Sequence, residues 1–268
     1  MRNGFVAIVG MLMCLLSMDS LGAVSDQEID RYLQKSELYK IFANFDEQLE
    51  AQITQAKVAA DDQKSVEQVS TVMLGTWDEA KANAILKDSL KYDFTSEELK
   101  NLFKWYDQTW VKNIKVAERQ SDEPNFESAM VRFFEDMAKQ PPSAERIQVV
   151  QGYVENTQML DVALELIVNL VSAMQSAFEA ARGEPTGSSS MAPAELRALM
   201  EPQMKQGVTM MSFYLYRDIS DTDLQSYGDF YASALGKREV AIIMRGINKV
   251  MTAWTNDMAK EGTAIFGR

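Results

Sequence analysis

The sequence predicts an all-α protein, built as two tandem related helical repeats that together form a multi-helix bundle. Three observations predict it. Apolar residues recur at three- and four-residue spacing nearly everywhere, while period-two alternation is scarce. Helix-start signals stand just ahead of those stripes. One start occurs twice: Phe94-Thr95-Ser96-Glu97-Glu98-Leu99 followed by Trp105-Tyr106, and Ile219-Ser220-Asp221-Thr222-Asp223-Leu224 followed by Phe230-Tyr231. Leu99 and Leu224, Tyr106 and Tyr231, and Lys112 and Lys237 all stand 125 positions apart. A fixed offset of this kind is the mark of a repeated supersecondary unit.

The elements follow in order. Residues 1–23 read as a signal peptide: Arg2 for the basic end, Phe5 to Leu16 for the apolar run, and Leu21-Gly22-Ala23 at the cut. The run is too short to span a membrane. Repeat one covers 24–140. Leu38, Ile41, Phe42, Phe45, Leu49 and Ile53 predict one helical stretch from Asp26 to about Ala59, interrupted at Asp61-Asp62. A second stretch runs from about Ser65 to Tyr92, breaking near Gly75 and restarting under a Thr76 cap. Thr95 and Glu98 form a capping box for the next helix, which buries Leu99, Leu102, Phe103, Tyr106 and Trp110. Ser121-Asp122-Glu123-Pro124 ends that unit. Phe126, Met130, Phe133, Phe134 and Met137 mark a short amphipathic helix, which Pro141-Pro142 stops.

Repeat two covers 141–268. A helix from Ala144 to Tyr153 leads into a long one from about Thr157 to Arg182. Here Tyr32 and Tyr153, and Leu38 and Met159, stand 121 apart, so a net four-residue insertion is placed in the Gly- and Ser-rich linker at 183–190. A helix from Pro193 to Tyr216 is interrupted near Pro202 or Gly207. Ser220, with Asp223 three residues on, caps the last long helix, which Gly236 breaks. Ile243, Ile247, Val250, Met251, Trp254 and Met258 form its closing stripe, expected to face its own repeat.

The duplicated box resembles the bacterial domain-of-unknown-function family 2059. That family's pattern is an aromatic or Ile, then Thr or Ser, two variable residues, an acid and Leu, later an aromatic-Tyr pair and Ser-Pro-x-Gly-Lys. The second copy carries Phe230-Tyr231-Ala232-Ser233-Ala234-Leu235-Gly236-Lys237, with Ala234 in place of Pro; the first carries Gln108-Thr109-Trp110-Val111-Lys112 and lacks the Gly. The resemblance implies a secreted, all-helical bacterial protein of unsettled biochemistry. It brings no active site.

Composition excludes several function classes. The 268-residue chain has no His, and its one cysteine, Cys14, lies in the leader behind Met13 rather than in a lipoprotein site. Triads, Cys–His pairs and histidine metal sites are therefore excluded. The balance of 27 basic against 39 acidic residues gives −12, which disfavours nucleic acid and anionic lipid. The leader removes one residue of each sign, Arg2 and Asp19, and leaves that balance unchanged.

Two constellations remain. Asp161 and Glu165 stand four apart in an otherwise apolar helix. They are the candidates for carboxylate acid–base chemistry or a cation site, set against a solvated strip or an ion pair with Arg197 or Arg245. Of 17 methionines, four (Met1, Met11, Met13 and Met18) belong to the leader. Met200, Met204 and Met211, with Tyr231, are the candidates for an adaptable binding groove, set against plain core packing. Repeated Met-x-Met spacing for copper is absent, so no metal and no cofactor is expected. The expectation is a periplasmic or secreted interaction or binding protein that takes a protein partner or an apolar small molecule. Homo-oligomerisation is left open. A carrier of an apolar ligand and a carboxylate-dependent hydrolase or lyase are the alternatives.

Overall fold

The computed structural model describes residues 24–59, 63–181 and 191–266. The expected leader, the Asp61-Asp62 interruption and the 183–190 linker lie outside these residues. The described chain forms α1 (Asp26–Ser36), α2 (Phe45–Ala59), α3 (Gln63–Thr76), α4 (Glu79–Asp93), α5 (Ser96–Tyr106) and α6 (Thr109–Glu118), then α7 (Phe126–Lys139), α8 (Ala144–Asn156) and α9 (Met159–Ala181), and finally α10 (Pro193–Leu215), α11 (Asp221–Ala232) and α12 (Ala234–Phe266). Single 3₁₀ turns lie at Leu38–Lys40 and Arg119–Asp122, and no strand occurs among the described residues. The all-α, multi-helix expectation holds.

The duplicated starts become α5 and α11. Thr95 accepts the Glu98 N–H at 3.2 Å while the Glu98 carboxylate accepts the Thr95 N–H at 2.8 Å, completing the capping box. Ser220 accepts the Asp223 N–H at 3.1 Å in the same manner. Leu99 and Leu224 are both fully buried, and Lys112 and Lys237 both fall in the helix that follows.

Four boundaries differ from expectation, each for a local reason. The stretch 26–59 is two helices, because Glu37 (φ 62°) and Asn44 (φ 58°) enter the left-handed region. The Ser36 hydroxyl donates to the Tyr32 carbonyl at 2.9 Å and accepts the Leu38 N–H at 3.3 Å, which fixes that corner. Asp78, not Thr76, caps α4 by accepting the Lys81 N–H. The Thr76 hydroxyl is already committed, donating to the Val72 carbonyl at 2.7 Å and accepting from Trp254 Nε1 at 3.2 Å. α10 runs unbroken through Pro202, because packing on α8 and α9 outweighs the one backbone hydrogen bond that proline removes. The α11–α12 break falls at Ser233, whose hydroxyl accepts the Gly236 N–H at 3.2 Å. Gly236 instead permits a close approach: a Cβ there would meet the Phe230 carbonyl oxygen and stand 2.5 Å from the Tyr231 Cα.

A single core joins both halves of the chain, from Ile29 and Tyr32 through Leu90, Leu102 and Tyr153 to Leu224, Ile247 and Val250. α12 is the element that unites it. Its apolar stripe lies along α3, α4 and α9 as well as α11. Trp254 packs edge-on against Trp77 (5.3 Å) and Phe45 (5.6 Å) of the first half. The expectation that this stripe faces its own repeat therefore holds only in part: it packs on α9 and α11 of its own half and on α3 and α4 of the other. α12, at 33 residues, is long enough to bury apolar surface on both halves at once.

Candidate functional site: a groove and two carboxylate–tyrosine clusters

α9 carries two adjoining faces. Leu164 and Val168, one turn apart, are buried. Glu165, Asn169 and Ser172 repeat at four and three residues, so they share the neighbouring face. On α12, Asn248, Met251, Thr252, Thr255 and Asn256 share a face by the same spacing. The two faces meet across a groove of about 490 Å³, with Pro193 at the start of α10 also lining it. Met251, 5% exposed, and Pro193 are the apolar residues of a lining whose other members carry polar side chains.

A hydrogen-bond relay runs across the groove. Asn248 Nδ2 donates to Glu165 Oε1 at 2.6 Å, and Asn169 Nδ2 donates to Asn248 Oδ1 at 3.1 Å. The carboxylate sets the sense of this relay. It only accepts, so Asn248 must offer it the NH₂ and turn its carbonyl to Asn169. The first bond is charge-assisted and holds Glu165 in place. Thr255 donates its hydroxyl to the Met251 carbonyl at 2.8 Å. The Ser172 Oγ is buried without a hydrogen-bond partner. Asp161 does not join this site: it is exposed and pairs with Arg197. The two sequence candidates thus take different partners, and only Glu165 lines the groove.

The methionine candidates fall on α10. Met200 and Met204 are half-buried, and Met211 packs against the core. Tyr231 sits among aromatic rings, 5.6 Å from Trp105, 5.3 Å from Tyr227 and 5.1 Å from Phe230.

Two carboxylates that were not singled out in the sequence hold tyrosines, Glu239 of α12 fully buried and Glu118 partly exposed. Glu239 accepts hydrogen bonds at Oε1 from the Tyr32 hydroxyl at 2.7 Å and the Tyr106 hydroxyl at 2.8 Å, while Oε2 has no partner. Burial pushes its carboxyl above the usual range. The two phenols and the charge of Lys115 pull in the opposite direction without overcoming burial. Burial, reinforced by Glu239, pushes both phenols well above their ordinary value. Glu118, the last residue of α6, accepts at Oε1 from Tyr216 and Tyr227, each at 3.2 Å, and at Oε2 from Lys115 at 2.8 Å. The Tyr153 and Tyr216 hydroxyls are hydrogen-bonded at 2.6 Å.

The arrangement is reciprocal. A carboxylate of the second half holds two phenols of the first, and a carboxylate of the first half holds two phenols of the second. Trp105 lies between the clusters, stacked on Phe230 at 3.7 Å and packed on Tyr106 and Tyr227. These clusters fasten the halves together; Glu239 has no path to solvent. The signal that finds them is simple. Stepping back four residues from Ile243 lands on Glu239, and stepping on four from Ile114 lands on Glu118. Each acid thus occupies a position on its helix's apolar stripe.

Among the described residues, no group of three or more His, Cys, Asp or Glu is placed to hold a metal ion, and no helix is long and apolar enough to cross a membrane. Compared with known proteins, the chain finds no match to a family model, to a curated protein or to a solved structure.

Proposed function

We propose that this is an exported, non-enzymatic binding protein of the bacterial periplasm, and that the α9–α12 groove is where it takes its ligand. One observation carries the reading: amides, hydroxyls and a single fixed carboxylate converge on a ligand-sized groove. Export is supported by the leader pattern at residues 1–23. Paired-carboxylate chemistry of the glycosidase kind would need Asp161 and Glu165 to converge on one substrate position. Glu165 is instead committed to Asn248, and Asp161 to Arg197. The test begins with protein recovered from the periplasmic fraction. N-terminal sequencing should read Val24, and an intact Met1 there would refute export. The same preparation should not hydrolyse a broad ester and glycoside panel. Hydrolysis that disappears in Asp161→Asn or Glu165→Gln would replace the binding reading with a carboxylate enzyme.

A further inference from the structure

The groove's lining carries one charged group, the Glu165 carboxylate, and it is negative. One Nδ2 donor of Asn248 is spent on Glu165, one of Asn169 on Asn248, and the Thr255 hydroxyl proton on the Met251 carbonyl. The lone pairs of Glu165 Oε2, the Asn169 side-chain carbonyl and the Thr255 oxygen remain unspent, as does the second N–H of each of these two amides. Among the described residues, no Lys or Arg lies within ion-pair distance of Glu165, so no described cation neutralises its charge. Among the described residues, no aromatic ring lines the groove to stack on a sugar or a base. A site with one negative charge that no described cation pairs, free acceptors beside it and an apolar contact at Met251 suits a compact cation with several N–H donors and a short alkyl stem.

Resting on the binding reading above, we infer that the α9–α12 groove recognises a primary alkylammonium group, with Glu165 as its counter-ion and Asn169 and Thr255 as further acceptors. An ammonium offers three donors and no acceptor, which matches these unspent lone pairs. The chain's −12 charge favours the approach of a cation. A free diamine and a lysine side chain of a peptide present the same chemistry, and the experiment distinguishes them.

Isothermal titration calorimetry of the mature protein is the measurement, with 1,4-diaminobutane, Nα-acetyl-lysine amide and neutral 1,4-butanediol as probes. At least one of the two amines should bind and the diol should not. Binding of the diamine assigns a free amine; binding of the lysine amide alone assigns a lysine side chain. Glu165→Gln keeps the shape and one acceptor but removes the charge, and should weaken amine binding by at least about tenfold. Thr252→Lys brings a cation to an exposed groove residue away from the core, and should weaken it similarly even if Glu165→Gln disturbs folding. Absence of amine binding at about millimolar concentration would overturn the inference. So would amine binding that neither substitution alters. Diol binding equal to the diamine's would overturn the ammonium assignment while leaving the groove a binding site, and hydrolytic activity in the panel above would remove the binding reading itself.

Discussion

Glu239 shows how a single buried acid turns into a pH-dependent stability. Its carboxyl is raised by burial above its ordinary value of 4.5, so the folded chain holds the proton more tightly than the unfolded chain does. That contribution is fully present below the unfolded value and is lost as pH rises through the folded one. Above that point the charged group stays enclosed, with two phenols at one oxygen and nothing at the other. Glu239→Gln removes the titration. Denaturant melts stepped from acid to neutral pH should therefore show the wild type losing stability relative to Glu239→Gln as pH climbs past the ordinary carboxylate range. Parallel curves would show that Glu239 carries no such shift.

At the scale of elements, the α11–α12 junction and the α4–α12 contact pose contrasting demands on glycine. A Cβ at Gly236 would collide with backbone, the Phe230 carbonyl oxygen and the Tyr231 Cα, where nothing can rotate aside. A Cβ at Gly246 would meet a methyl of Leu86, Cδ1, at 2.6 Å, and that side chain can shift its rotamer. Gly236→Ala should therefore cost about 1–3 kcal/mol, and more than Gly246→Ala. Urea midpoints of the two variants decide the order. A Gly246→Ala loss equal to or larger than that of Gly236→Ala would contradict this account of the junction.

The whole molecule is held by what crosses between its halves. Ile242, Ile247, Val250 and Trp254 are all 3% exposed or less, on a helix that lies along α3 and α4 of the first half. The reciprocal clusters at Glu239 and Glu118 add hydrogen bonds across the same division. Severed at 140/141, fragment 141–268 would present that stripe to water, and fragment 24–140 would lose the surface that covers Leu86 and Met73. The intact mature chain should unfold in one cooperative transition by circular dichroism. Each fragment alone should show reduced helicity and no cooperative melt. A cooperative, fully helical 141–268 would mean that the second half contains its own core.

The sequence by itself determined the helical class and several of the helix starts and stops. These depend on interactions within a few residues, such as the Thr95–Glu98 box, the Ser220 cap and the Pro141-Pro142 stop, and neighbours along the chain are sufficient to write them. It also put Glu165 forward, because an acid in an apolar helix is visible to spacing alone. The tertiary structure decided which surfaces meet. Nothing local to α12 says that its stripe lies on the first half as well as its own, since an apolar face fits whichever complementary surface it meets. Nothing local to α9 says that Asp161 turns to Arg197 while Glu165 turns to Asn248, 83 positions away. Glu239 and Glu118 were legible only as acids at apolar positions. The phenols that hold Glu239 come from residues 207 and 133 positions distant, and pairings over such separations are fixed by the packing of whole helices.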